Sequence, residues 1–278
     1  MTNRSLIARA AGLLGLAAAS ASAQTTPVTH HVKASLVSEN AAFGPGRSLM
    51  VGVRLEMEEG WHTYWMNPGD SGLATRIVWR LPEGVTAGET LWPYPSRFEA
   101  GPVVSFGYEG QVLLPVELQI ARDVAKGELR LEARVNWLEC KEVCIPGKAD
   151  LALVLPMATV VGAGPDAALF AEARRRLPAK SGSWHATAVA SASEIALSLK
   201  PPKGTAVTSA YFYPETPRML DYSRAQPLQR EGSGIRLDLP RDANGMMAGR
   251  LAGVVVAETG HGTLAVEVDA AIGVAGVR

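Results

Sequence analysis

Cysteine is nearly absent from this 278-residue chain: there are two, Cys140 and Cys144, with three residues between them. A fold knitted together by bridges between distant segments is therefore excluded. A surplus of either charge is lacking as well. Lys and Arg number 27, Asp and Glu number 27, and the formal net charge is zero. No basic stripe runs along the chain, which argues against nucleic acid or an acidic membrane surface as a partner. Long apolar runs are missing beyond the N-terminal segment, so the rest of the sequence offers nothing like the roughly 20 apolar residues needed to span a bilayer.

What is present begins with "MTNRSLIARAAGLLGLAAASASAQ". Arg4 and Arg9 form a basic stretch, residues 10–19 are apolar, and Ala21-Ser22-Ala23 precedes Gln24 as a small-residue cleavage site. That order is the signature of a secretory signal peptide, residues 1–23, and the apolar run is too short for an anchor. The mature chain is expected to be exported into a compartment where disulfides persist. It keeps about 255 residues, enough for one large or two ordinary domains.

Charged residues are only 19% of the chain, Gly (28) and Pro (18) are plentiful, and apolar residues alternate along short runs, which predicts an all-β fold. Strands are expected at residues 30–38, 48–56, 75–79, 111–120, 128–137 and 150–155. In "LRLEARVNW", Leu129, Leu131, Ala133 and Val135 share one face against Arg130, Glu132, Arg134 and Asn136 on the other, the pattern of a sandwich strand with one buried side. The segments "NPGDSG" and "WPYPSRFEAGP" are read as rim connections, because Pro and Gly interrupt a ladder.

After "VVGAGPD" comes a helical pattern with Leu169, Phe170, Ala173 and Leu177 on one face, Asp166 as N-cap and Pro178 as its stop. Strand patterns resume at 195–199, 209–213, 234–239, 249–257 and 263–270. Two β-sandwich domains joined by a short helix are expected, over residues 24–160 and 161–278. Five of the six Trp fall in the first (61, 65, 79, 92 and 137) and Trp184 lies in the second. Trp79 and Trp137 read as core, whereas "GWHTYWMNPGDSG" and "LWPYPSRFEAG" set large rings beside turn residues and suggest a functional rim.

A fully extended run from Cys140 to Cys144 would span roughly 13 Å at about 3.3 Å per residue, whereas a disulfide needs Cα atoms about 4.4–6.8 Å apart. A bridge thus requires a turn at Lys141, Glu142 and Val143, with Pro146-Gly147 ending the excursion before a strand at Asp150. Closing so short a loop restrains the unfolded chain by roughly 2 kcal/mol, against nearly 5 for a hundred-residue loop. Exchange therefore explains the pair better than a structural staple does. The alternatives are that staple, or a soft ion such as Cu(I) held by the thiolates with His62 or Met66. His30 and His31, beside the mature N-terminus, read as solvated. Lys141 and Lys148 are offset by Glu139 and Glu142, so no lowered thiol pKa follows. No motif for a metal, flavin or nucleotide cofactor is visible.

The segments "GWHTYWMNPGDSGL", "LPEGVTAGETLWPYPSRFEAGPVVSFGYEGQVLLPVEL" and "WLECKEVCIPGKADLALVLP", in that order and spacing, resemble the periplasmic N-terminal domain of the thiol:disulfide interchange protein DsbD, especially its ScsB-like branch. "AYFYPETPRMLDYSRAQPLQREGSGIRLDLP" resembles, more loosely, the second immunoglobulin-like domain of that branch. The resemblance implies two immunoglobulin-like sandwiches, a periplasmic location and a catalytic Cys140/Cys144 pair that relays electrons through mixed disulfides. It implies an aromatic-tipped cap loop at residues 93–101 with Phe98 as tip and Tyr94 as the alternative. Trp61 and Tyr64 would lie around the pair, Tyr64 as its floor, with Glu99 as the sole acidic residue beside the tip. Longer members continue into a helical membrane domain and a thioredoxin-like domain. With neither here, the expected partners are a separate membrane-embedded thiol reductase and thioredoxin-like periplasmic proteins.

Overall fold

The protein, seen in a computed structural model, is described over residues 30–180, 184–245 and 248–274; the expected signal peptide, 1–23, lies outside them. The chain runs through β1 (Val32–Ser38), β2 (Ser48–Met57), β3 (His62–Gly69), β4 (Arg76–Arg80), β5 (Val85–Thr90), β6 (Ser96–Ala100), β7 (Val103–Glu109), β8 (Gln111–Ile120), β9 (Glu128–Cys140) and β10 (Cys144–Pro156). After α1 (Ala167–Arg176) come β11 (His185–Ala190), β12 (Glu194–Lys200), β13 (Val207–Pro214), β14 (Leu228–Glu231), β15 (Gly234–Pro240), β16 (Arg250–Thr259) and β17 (Gly262–Val274). The fold is all-β, two immunoglobulin-like sandwiches with a short helix between them.

In the first sandwich one layer has the order β1-β2-β8-β5 and the other β10-β9-β3-β7-β6, with β4 paired to β9. Period-two alternation fills the space between them. Val51, Val53 and Leu55 of β2 face Leu131 and Val135 of β9, all fully buried, together with Leu114 and Val116 of β8. Each such side chain contributes about 1.5–3 kcal/mol through its removal from water. In the second half, seven strands form one path, β13-β16-β17-β11-β12-β15-β14. Strand β17 is long enough to serve both layers: residues up to Ala271 pair with β16, and Ile272 to Val274 run parallel to β11.

Helix α1 belongs with the first sandwich, where Phe170 and Ala173 pack on Val37 and Leu113. Asp166 occupies the N-cap position, yet its side chain caps nothing; the carboxylate lies 3.8 Å from Arg54 instead. Leu177 turns extended just before Pro178, which ends the helix. The connection after β10 also stays on the first half, through Ala41 N–H to Gly162 O (3.0 Å) and Gly164 N–H to Glu39 O (2.7 Å).

The halves share a core. Trp65 and Phe106 meet Tyr213 edge-on, and Phe106 also meets Tyr211 and Tyr222. Asn67, fully buried on β3, donates to Pro214 O (2.7 Å) and Tyr222 Oη (3.2 Å). This corrects the expectation that "NPGDSG" is rim: Asn67, Pro68 and Gly69 continue β3 as an irregularity in its ladder with β7. Likewise "SRFEA", inside the expected connection 93–101, forms β6, paired to β7 from Ser96 to Ala100.

Candidate functional site

The long hairpin of β9 and β10 sets Cys144 directly opposite Cys140 in register. The two form a disulfide with Cα atoms 4.2 Å apart. Lys141, Glu142 and Val143 make the turn, closed by Lys141 N–H to Val143 O (3.2 Å). Pro146-Gly147 does not end the excursion, because β10 resumes at Cys144 itself. Strand β10 is a sheet edge, where proline is tolerated. Gly147 is required by close approach: a Cβ there would sit 2.2 Å from the indole of Trp137, its ladder partner.

Register decides which side chains gather around the sulfurs, since ladder partners share a face and residues two apart return to it. His62 pairs with Cys140, Tyr64 with Gly107, and Phe98 with Ser105. Cys140, Cys144, His62, Tyr64 and Phe98 therefore occupy one face, the outer face of the second layer, while Val135, Trp137 and Phe106 point inward. The contacts form a chain. Tyr64 Oη lies 3.8 Å from Cys144 Sγ, the His62 ring meets Tyr64 edge-on at 5.2 Å, and Phe98 stacks on His62 at 4.9 Å and 18°. Cys140 and Tyr64 are each only 2% exposed, Phe98 is half-buried and Cys144 is exposed.

Tyr64 owes its burial to the loop that follows β3. Gly72 (φ +117°) lies against the phenol, and a Cβ there would come within 2.1 Å of the ring. The loop is pinned by Val104 N–H donating to the Asp70 carboxylate (2.8 Å) and by the Ser105 hydroxyl donating to Ser71 O (3.2 Å). Burial raises the Tyr64 pKa, so the phenol stays protonated and can direct its O–H at sulfur. Burial also holds the His62 imidazole below its ordinary pKa, partly offset by the Glu109 carboxylate. Both rings are neutral near pH 7.

The remaining sequence-identified residues lie apart from this chain of contacts. Trp61 is buried and stacks on His31 at 3.9 Å. Tyr94 packs under the Arg176 guanidinium, 5.2 Å from ring centre to Cζ, and their backbones bond through Tyr94 N–H to Arg176 O (2.9 Å). Tyr94 is thus an anchor for α1. Glu99 is exposed and paired with Arg97. Of the expected rim rings, Trp65 is core at 1% exposure. Among the described residues no group of three or more His, Cys, Asp or Glu is placed to hold a metal ion, and no helix is long and apolar enough to cross a membrane.

One group escaped the sequence reading. The Glu139 carboxylate, fully buried, accepts from Trp137 Nε1 (2.8 Å) and His31 N–H (3.0 Å) and lies 3.2 Å from His30 Nδ1. His31 in turn contacts Glu58 at 2.7 Å. His31 is half-buried on the first sandwich, contrary to the expectation that it is solvated, whereas His30 reaches the Glu139 carboxylate but remains exposed, as expected. A signal for Glu139 did exist: the alternation of β9, carried two residues past Trp137, puts it on the inner face.

Comparison with known proteins matches residues 33–156 to the family described as "Thiol:disulfide interchange protein DsbD, N-terminal". No curated protein matches the chain. The crystal structure of the N-terminal periplasmic domain of ScsB from Proteus mirabilis is similar with a TM-score of 0.65 at 21% identity, covering 90% of this chain and 96% of that one. At this identity the likeness establishes a common fold, and it extends over both sandwiches. The periplasmic chaperone SfaE (10% identity, TM-score 0.23, covering 87% and 100%) and the Actinomyces fimbrial adhesin FimA (11%, 0.23, 86% and 98%) are too distant in shape to carry an argument.

Proposed function

Residues 33–156 belong to the DsbD N-terminal family, a thiol:disulfide interchange domain, and on that premise we propose that the protein is an exported, periplasmic electron relay working through the Cys140/Cys144 pair. The observation that carries the proposal is the asymmetry of the pair: Cys144 is exposed, whereas Cys140 is 2% exposed beneath its neighbours. Exchange needs in-line access to one sulfur; Cys144 is the more exposed of the two, and lifting Phe98 from His62 would widen the approach to it.

In the reductive half, a thiolate of a membrane-embedded reductase attacks Cys144 Sγ. A mixed disulfide forms and Cys140 leaves as the thiolate. The reductase's second thiolate then attacks its own sulfur in that bond and releases Cys144, so two electrons have entered and the donor is left as a disulfide. In the oxidative half, the Cys144 thiolate attacks a disulfide of an oxidised thioredoxin-like protein and frees one thiolate of that target. Cys140 then attacks Cys144 Sγ, restoring the disulfide and releasing the target's second thiolate, which takes a proton from water. Tyr64 contributes a phenol O–H 3.8 Å from Cys144 Sγ, which favours the Cys144 thiolate when it is released from the reductase and when it attacks the target. Phe98, stacked on His62, is the cap, and Trp61 stiffens the surroundings through His31. Tyr94 and Glu99 take no part in the chemistry.

The test is trapping in periplasmic extract. Cys140→Ser leaves Cys144 to attack with no resolving thiol, so it should accumulate a mixed disulfide with a thioredoxin-like protein, while Cys144→Ser should not. If neither variant captures a partner, the relay fails. Stoichiometric Cu(I) uptake by the reduced protein, without any trapped partner, would instead favour a metal-delivery module.

A further inference from the structure

Strand β6 is short, five residues, and among the described strands it is the edge of its sheet, paired with β7 alone. An edge ladder of that length is held weakly by itself. Two consecutive residues on it face in opposite directions. Phe98 stacks on His62 at the disulfide face. Arg97 pairs with Phe106 in the ladder, and Phe106 is enclosed by Tyr211, Tyr213 and Tyr222 of the second sandwich.

Arg97 is also tied to that sandwich directly. Its guanidinium donates to the Tyr222 carbonyl (3.0 Å) and lies 5.6 Å over the Tyr211 ring, while another arm pairs with Glu99 on its own strand. The acceptor residue is itself fixed. Tyr222 is 1% exposed, and its hydroxyl receives Asn67 Nδ2 (3.2 Å) and Arg218 N–H (3.0 Å).

We infer that the second sandwich holds Phe98 against His62 on the disulfide face, and that Arg97 is the positioning residue through which it does so. Alternate side chains on a strand are coupled rigidly through its backbone. Lifting Phe98 away from His62 displaces β6, and that displacement pulls the guanidinium from the Tyr222 carbonyl and the Tyr211 ring. The opening of the site is thereby tied to a contact between the two halves, some distance from the sulfurs. A partner that engages the second sandwich near Tyr222 and releases Arg97 would open the site, whereas a small disulfide or thiol that touches only the first sandwich would not.

This inference rests on the reading of Phe98 as a cap, and the experiment separates the two. The full mature chain is reduced and alkylated with iodoacetamide, as wild type, Phe98→Ala, Arg97→Met and the double variant, with thermal melts on each. Arg97→Met keeps a long apolar stem over Tyr211 and removes the hydrogen bond. It should speed alkylation by about fivefold, the change in open population expected from one ordinary hydrogen bond, and the double variant should be no faster than Phe98→Ala alone. Tyr211→Leu, which removes the ring from the second-sandwich side, should also raise the rate, and it serves in place of Arg97→Met if that variant melts below the assay temperature. A raised rate in Phe98→Ala with an unchanged rate in Arg97→Met and Tyr211→Leu would overturn the inference while leaving the cap. Unchanged rates in all variants would overturn the cap and the inference together. Multiplicative effects in the double variant would show that Arg97 acts by another route, and overturn it as well.

Discussion

Glu139 and Cys140 are consecutive on β9, both buried, and their side chains lie on opposite faces of the sheet. The carboxylate is turned inward, onto the indole N–H of Trp137 and the N–H of His31, and the sulfur outward, beside His62 in the ladder. One strand end thus anchors the N-terminal segment with one residue and presents the redox group with the next. Replacing Glu139 by Leu leaves two N–H donors without a partner. The expected loss is at least about 2 kcal/mol, a fall in Tm of about 4 °C or more for a protein of this size. Thermal melts of the oxidised variant check it, and an unchanged Tm would deny the carboxylate this anchoring role.

Phe98 and Tyr94 should separate cleanly. Phe98→Ala is expected to speed alkylation of the reduced thiols, because access limits thiol rates, at a stability cost below about 2 kcal/mol for a half-buried ring. Tyr94→Ala should leave the rate alone and lower the melting temperature by loosening α1, which it holds through Arg176. A fast Tyr94 variant with a slow Phe98 variant would reverse the assignment of the tip.

His62 gives a spectroscopic reading of the same cover. Its imidazole should titrate below the ordinary value of about 6.5, since burial disfavours the cation more than Glu109 favours it. The folded pKa is the lower one, so between the two values the unfolded chain binds more protons. This contribution to stability is present in full above about pH 6.5 and is lost as pH falls toward the folded pKa. NMR titration of the ring proton shift measures it directly. Phe98→Ala should move the midpoint up toward 6.5, and a wild-type midpoint at or above 6.5 would rule out the buried stack in solution.

Reduction should leave both sandwiches folded. The five-residue loop restrains the unfolded chain by only about 2 kcal/mol, so melts with and without reductant should differ by at most about 8 °C. Loss of the cooperative transition on reduction would make the bridge a staple.

Much of this arrangement is written in local patterns. The alternation of Leu129, Leu131, Ala133 and Val135 places β9 and its inner face correctly, and the spacing of the cysteines predicts the turn at residues 141–143. Strands β3 and β6 stay hidden because Pro and Gly lie within or beside them. At Asn67 the interruption is offset by side-chain bonds to Pro214 and Tyr222, about 150 residues away in sequence. Edge position does the same for Pro146. The docking of His31 depends on a carboxylate more than a hundred residues downstream, and no local periodicity carries that. His62 was visible only as a possible metal ligand. Its place between Tyr64 and Phe98 follows from strand register, which a single sequence does not specify.

The direct opposition of Cys140 and Cys144 across the hairpin has a kinetic consequence. Two thiols at the ends of a floppy loop must search for one another, whereas here the ladder of β9 and β10 continues to the cysteines themselves. After reduction the backbone still presents one sulfur to the other, and the effective molarity of the resolving thiol approaches that of a pre-oriented intramolecular reaction. In the proposed relay, a mixed disulfide between Cys144 and an oxidised target would consequently be short-lived. The oxidative half would then be set by how quickly targets arrive and gain entry, while the same proximity makes the reductase's own second thiol compete with Cys140 in the reductive half.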